Sequence, residues 1–86
     1  MNIVFIKHTG CNQTYLFEVP AYITLKKGEE VMVQTRNGET SGVCTCDSFE
    51  LDGSPLVAVG NASGAKFPLK PVVGKVSVER FKVVQE

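Results

Sequence analysis

No stretch of the chain approaches the roughly eighteen consecutive apolar residues that a membrane-spanning helix needs, so a bitopic or polytopic membrane protein is not expected. Residues 2–6 are apolar but too short for the hydrophobic region of a signal peptide, and no basic segment precedes them, so a cytoplasmic location is the expectation. An excess of charge of either sign is also lacking. Nine basic and nine acidic side chains cancel, which removes any whole-molecule field that would draw the protein onto nucleic acid or anionic lipid without regard to sequence. Three cysteines, an odd number, argue against a disulfide framework and for reduced thiols. Repeats and low-complexity tracts are absent. Catalytic motifs are missing as well: the glycines of residues 60–64 have no following Gly-Lys-Ser/Thr, and Asp47, Glu50 and Asp52 lack the spacing and central glycine of a calcium loop. The expectation is a protein without enzymatic activity and without a cofactor.

What is present is an ordinary globular composition, 43% apolar and 21% charged, in a chain of 86 residues. Residues 1–86 therefore read as one domain with a small core. The most regular stretch is residues 25–43. Lys26, Lys27 and Gly28 form a polar approach, Val31 and Val33 then alternate with Met32 and Gln34, and Asn37-Gly38 supplies two residues tolerant of positive φ. Asn-Gly between alternating segments is the strongest short-range hairpin signal, so residues 40–46 are expected to return antiparallel to residues 30–35.

Elsewhere the pattern is similar. Residues 2–8 carry Ile3 and Phe5 on one face and Val4 and Ile6 on the other, as a central strand covered on both sides would. A turn around Gly10 and Asn12 leads to residues 14–19, where Tyr15, Phe17 and Val19 share a face, and Pro20 ends that strand because it has no N–H to donate. Ile23 and Leu25 are expected to plug the base of the core. In residues 54–63, Ser54-Pro55 is a good helix start, while Val57, Val59 and Gly60 favour other conformations, so a short helix and a strand are balanced there, with Gly64 as the stop. Phe67-Pro68-Leu69-Lys70-Pro71 reads as an extended surface connector. In the last segment Val76 and Val78 give way to Phe81 and Val83 on the opposite parity, which predicts a β-bulge near Glu79-Arg80.

These elements predict a mainly β fold: a small, partly closed antiparallel barrel of five to six strands, with a short helix near residues 54–63. The run from Tyr15 to Pro20, continued by residues 25–39 and Gly42-Val43, resembles the opening β segment of PSP1-type bacterial domains and the N-terminal domain of the primosomal helicase. Over its length the chain is similar to small proteins carried on prophages and mobile elements of Gram-positive bacteria. The resemblance implies a β fold and an association with such elements.

Three groups of residues carry chemistry. His8, Cys11, Cys44 and Cys46 make three sulfurs and one imidazole, the donor set of a closed Cys3His zinc site, although cysteines on a strand also serve as small core side chains, and His8 beside a thiol is the one arrangement suited to nucleophilic catalysis. Residues 44–65 are acidic, whereas residues 66–86 carry Lys66, Lys70, Lys75, Arg80 and Lys82 against two glutamates. Those five side chains are the candidates for following nucleic-acid phosphates, with Tyr15, Tyr22 or Phe81 to stack bases. Tyr22, Met32 and Phe67 are apolar candidates for an exposed partner surface. The leading expectation is a non-catalytic binding or adaptor module for a protein partner, including a second copy of the chain in a homo-oligomer. The alternative is a barrel that binds single- or double-stranded nucleic acid.

Overall fold

A computed structural model describes residues 1–8, 10–36 and 38–76; Thr9, Asn37 and residues 77–86 lie outside the described residues. The expected bulge at Glu79-Arg80 falls in that last segment. The elements are β1 (Asn2–His8), β2 (Thr14–Glu18), β3 (Glu30–Thr35), β4 (Gly38–Cys44), β5 (Phe49–Glu50), α1 (Gly53–Ser63) and β6 (Val72–Lys75). They form one antiparallel sheet in the order β2-β1-β4-β3-β6, with the short β5 paired to β1 beside β4. The partly closed barrel read from the sequence is the fold.

β1 is central for the reason its composition gives. Its ladder to β2 runs from Ile3 opposite Glu18 to Lys7 opposite Thr14, and its other edge is shared between β4, with Ile6 opposite Cys44, and β5, with Ile3 opposite Phe49. Both faces are then covered. Val4 and Ile6 point into the barrel with Phe17, Val19, Leu25, Val31, Val33, Cys44 and Val72. Ile3 points outward, where Leu16 and Leu69 bury it and Phe5, Phe49, Leu56 and Val59 pack alongside. Leu25 is fully buried and Ile23 packs against the same cluster, so this connector does plug the core.

The β3–β4 hairpin closes with Thr35 opposite Gly38, and the Thr35 hydroxyl donates to the Gly38 carbonyl at 2.6 Å. Gly38, with φ 108°, thus already belongs to the returning strand and not to the turn in which the Asn-Gly signal puts it. A register shift appears in the β3–β6 pairing, between Met32 and Val33.

Residues 53–63 are helical. Leu56 and Val59, three apart, pack against the outer cluster of Ile3, Leu16 and Leu69, and this burial outweighs the poor helix propensity of the valines. Asp52, not Ser54, occupies the N-cap position, and its carboxylate bonds the amine of Met1 rather than the helix. Gly64 ends the helix in the left-handed region at φ 77°; the next N–H, of Ala65, donates to the Gly60 carbonyl at 2.9 Å. The absence of a side chain at Gly60 is required by a neighbour: a Cβ there would lie 2.5 Å from the Phe67 ring.

Residues 67–71 are more than a surface connector. Leu69 is buried in the outer cluster, and the segment ties the two edges of the sheet. The Glu18 N–H donates to the Lys70 carbonyl at 2.9 Å, and the Gln34 N–H donates to the Pro71 carbonyl at 3.1 Å. Glu18 and Pro71 form an isolated parallel bridge, so the barrel is pinned shut at one end of β2 and, among the described residues, left open along the rest of it.

The contact of β1 with β4 depends on a missing side chain. A Cβ on Gly42 would stand 2.5 Å from Ile6 Cγ2 and 3.1 Å from the Lys7 carbonyl oxygen, whereas one on Gly74 would meet nothing within 4 Å. Gly42→Ala is expected to lower stability by about 1–3 kcal/mol, as overpacking does, and to lower the urea midpoint at unchanged slope. Gly74→Ala should stay within about 0.5 kcal/mol of the parent. Equal midpoints for the two variants would contradict this packing.

Candidate functional site

Where the barrel is not pinned, a cleft of about 340 Å³ opens between the start of β2 and the end of β3, roofed by the segment that follows α1. Its construction follows from strand register. Paired residues of adjacent strands share a face, so Tyr15 opposite Ile6 and Phe17 opposite Val4 lie on the barrel side with His8. The His8 ring lies 5.3 Å from that of Tyr15 and 5.8 Å, edge-on, from that of Phe17. Nδ1 of His8 is buried without a hydrogen-bond partner among the described residues. Tyr15 is fixed from outside, its hydroxyl donating to Gln13 Oε1 at 2.8 Å.

The floor is apolar, from Leu16, Phe17, Ala65 and Leu69, and the rim is cationic. Arg36 comes from the β3–β4 turn, and Lys66 and Lys70 from the roof. No carboxylate lines the cleft, and none of these three cations has an ion pair among the described residues. The sum is a hollow of one sign of charge over an apolar base, with little to neutralise it.

The edge of β2 adds a second feature. Along an antiparallel strand, N–H and C=O groups point alternately to one neighbour and the other. Glu18 directs its N–H away from β1 to Lys70, and the Val19 N–H returns to the Asn2 carbonyl at 2.8 Å. By the same alternation Leu16 and Thr14 present their backbone groups to the open edge, where no backbone group among the described residues pairs with them. An unpaired strand edge is a template for another strand.

The residues singled out from the sequence are distributed as follows. Lys66 and Lys70 line the cleft together with Tyr15. Lys75 does not join them: it sits at the far end of β6 and pairs with Glu29 at 3.1 Å. Burial of Glu29 opposes its charge, but the Lys26 N–H and the Lys75 ammonium outweigh this and hold its carboxyl below the ordinary glutamate range. Arg80 and Lys82 lie outside the described residues. Tyr22, in the turn after β2, is 84% exposed; Phe67 is partly exposed over α1; Met32 is half-buried on β3, not a surface side chain. These three stand on separate elements. Phe67 and Val57 border a shallower hollow on the outer side of α1.

The Cys3His set is not assembled. Among the described residues no three His, Cys, Asp or Glu side chains come close enough to hold a metal ion. Cys44 is buried in the barrel, Cys46 packs against that core, and Cys11 is exposed in the β1–β2 loop, so spacing on one strand face produced core contacts rather than a ligand cage. Sequence reasoning missed Arg36, Gln34 and His8 as neighbours of Lys66 and Lys70, since they lie 30 or more residues away and only barrel closure joins them.

The buried thiol has a measurable consequence. Burial, aided by the negative charge of Glu29, pushes the Cys44 thiol up to about 11 from an ordinary value of 9.0. A raised acid pKa in the folded state means that the unfolded chain loses its proton first. This contribution is therefore complete below pH 9 and fades as pH rises towards 11, by roughly 2 kcal/mol at most. Unfolding followed from pH 8 to 11 should show that loss in the parent and not in Cys44→Ala; parallel curves would contradict it.

No helix among the described residues is long and apolar enough to cross a membrane. No family model, curated protein or solved structure matches the chain.

Proposed function

We propose that the protein is a non-catalytic binding module that holds a segment of a protein partner in extended form along the open edge of β2. The observation that carries this reading is the Thr14–Leu16 backbone, unpaired on its outer side among the described residues, beside a preformed hollow. Strand addition draws affinity from main-chain hydrogen bonds and specificity from pockets that take alternate side chains, and both parts are present side by side. Tyr15, which is 42% exposed, supplies the apolar contact area that such recognition uses, over a floor of buried Leu16 and Leu69.

A second reading, single- or double-stranded nucleic acid, is favoured by a different observation: Tyr15 lies in the same hollow as Arg36, Lys66 and Lys70, which matches base stacking combined with phosphate contacts. The association with prophages or mobile elements remains a proposal of the same standing.

Thr14→Pro separates the readings. Thr14 is exposed and its N–H points away from β1, so proline removes one outward donor while leaving the β1–β2 ladder intact. Random peptides displayed on phage and selected on the full chain are expected to bind Thr14→Pro at least tenfold more weakly, with circular dichroism and thermal midpoint unchanged. Equal binding, or no selection over an unrelated immobilised protein, would overturn the edge reading. A retarded dodecathymidylate or duplex DNA at low salt, with no selected peptide, would establish the second one. Sedimentation velocity of the free protein reports whether the partner is another copy of the chain.

A further inference from the structure

The chemistry of the cleft goes further than the existence of an edge. Resting on the strand-addition reading, we infer that the segment held there is acidic: an extended peptide whose Asp or Glu carboxylate sits within the cationic rim while a neighbouring apolar side chain fills the hollow.

Three observations converge on this ligand class. The rim brings together Arg36, Lys66 and Lys70 from two connections separated by about thirty positions in the sequence, with no carboxylate among the described lining residues. That concentration stands out in a chain whose charges cancel overall. Lys75 and the Met1 amine, by contrast, are answered by Glu29 and Asp52. Unanswered like charges brought together repel one another, and an anionic group in their midst relieves that repulsion as well as forming charge-assisted hydrogen bonds.

The floor decides what kind of anion. Tyr15 and Ala65, with the small exposed parts of Leu16, Phe17 and Leu69, give the hollow an apolar lining that a free inorganic anion would leave uncovered and that a side chain two residues along a β-strand from a carboxylate would cover. A period of two is also the spacing that the open edge imposes. Leu16 offers its backbone to the incoming strand, and side chains one and three positions along that strand project towards the same side. His8 lines the same hollow, and its Nδ1 is buried without a hydrogen-bond partner among the described residues.

Positional-scanning libraries of octapeptides, each fixed at one position as Asp, Glu, Gln or Lys and random elsewhere, test this on the full chain. At 50 mM salt the Asp and Glu pools are expected to be retained at least tenfold better than the Gln pools at one or two positions, with Lys pools weakest, and the advantage should shrink severalfold at 300 mM salt. Arg36→Gln, Lys66→Gln and Lys70→Gln should each reduce the acid preference by threefold or more. Lys27→Gln, which removes an equal charge outside the cleft, should leave it unchanged. Equal retention of acidic and amide pools by the parent, with Thr14→Pro releasing both, would overturn the acidic inference while the edge reading stands. Retention of acidic pools by Thr14→Pro as strong as by the parent would overturn both, because the attraction would then be charge alone. Preferential binding of dodecathymidylate over every acidic pool would assign the rim to nucleic acid and overturn the inference.

Discussion

The burial of β1 on both faces is the constraint from which the rest of the structure follows. A strand with apolar side chains pointing two ways cannot lie on the surface of a single-layered sheet. Val4 and Ile6 require an interior, which the sheet provides by curling until Val31, Val33 and Val72 face them. Ile3, packed on the other side, requires a lid, which α1 and Leu69 supply. Removing apolar surface from water at about 25 cal/mol per Å² makes each of these coverings favourable, and the chain is too short to provide a second sheet for either. Curl on one side and helix on the other follow from a single seven-residue sequence.

That arrangement also explains why the candidate site lies at the seam. To seat Leu69 against Ile3 and Leu16, residues 67–71 must cross from the outer layer to the edge of β3, and on the way they bond Glu18 and Gln34. The crossing closes the barrel at the end of β2 and leaves its beginning uncovered. Lys66 and Lys70 are carried to the opening because they flank the buried residue, so the cationic rim is a by-product of how the outer cluster is completed. Edges left open in this manner normally invite unwanted pairing.

The cysteines illustrate how similar residue patterns serve different ends. Two thiols on one strand face, with a histidine and a third cysteine near the first turn, form a plausible ligand set when distances are unknown. In the fold β4 ends at Cys44, whose place opposite Ile6 puts it in the barrel core, where its thiol behaves as a small apolar group and resists ionisation. Histidine follows the same register to a different outcome, ending at the barrel mouth among aromatic rings.

Local periodicity determined the strands, because alternation in residues 2–8 and 30–35 reports directly on which side chains are removed from water, and Gly64 marked the end of the helix because only a residue without Cβ enters the left-handed region at no steric penalty. The helix itself was undecided in the sequence: Val57 and Val59 disfavour it locally, and packing of Leu56 and Val59 against the cluster of Ile3, Leu16 and Leu69 settled the matter. The site was the least legible part. Tyr15, Arg36 and Lys70 belong to separate elements whose adjacency depends on closure of the sheet, and no local signal encodes a distance between residues fifty positions apart. Sequence determined which residues would be buried; tertiary structure alone decided which of the exposed ones would meet.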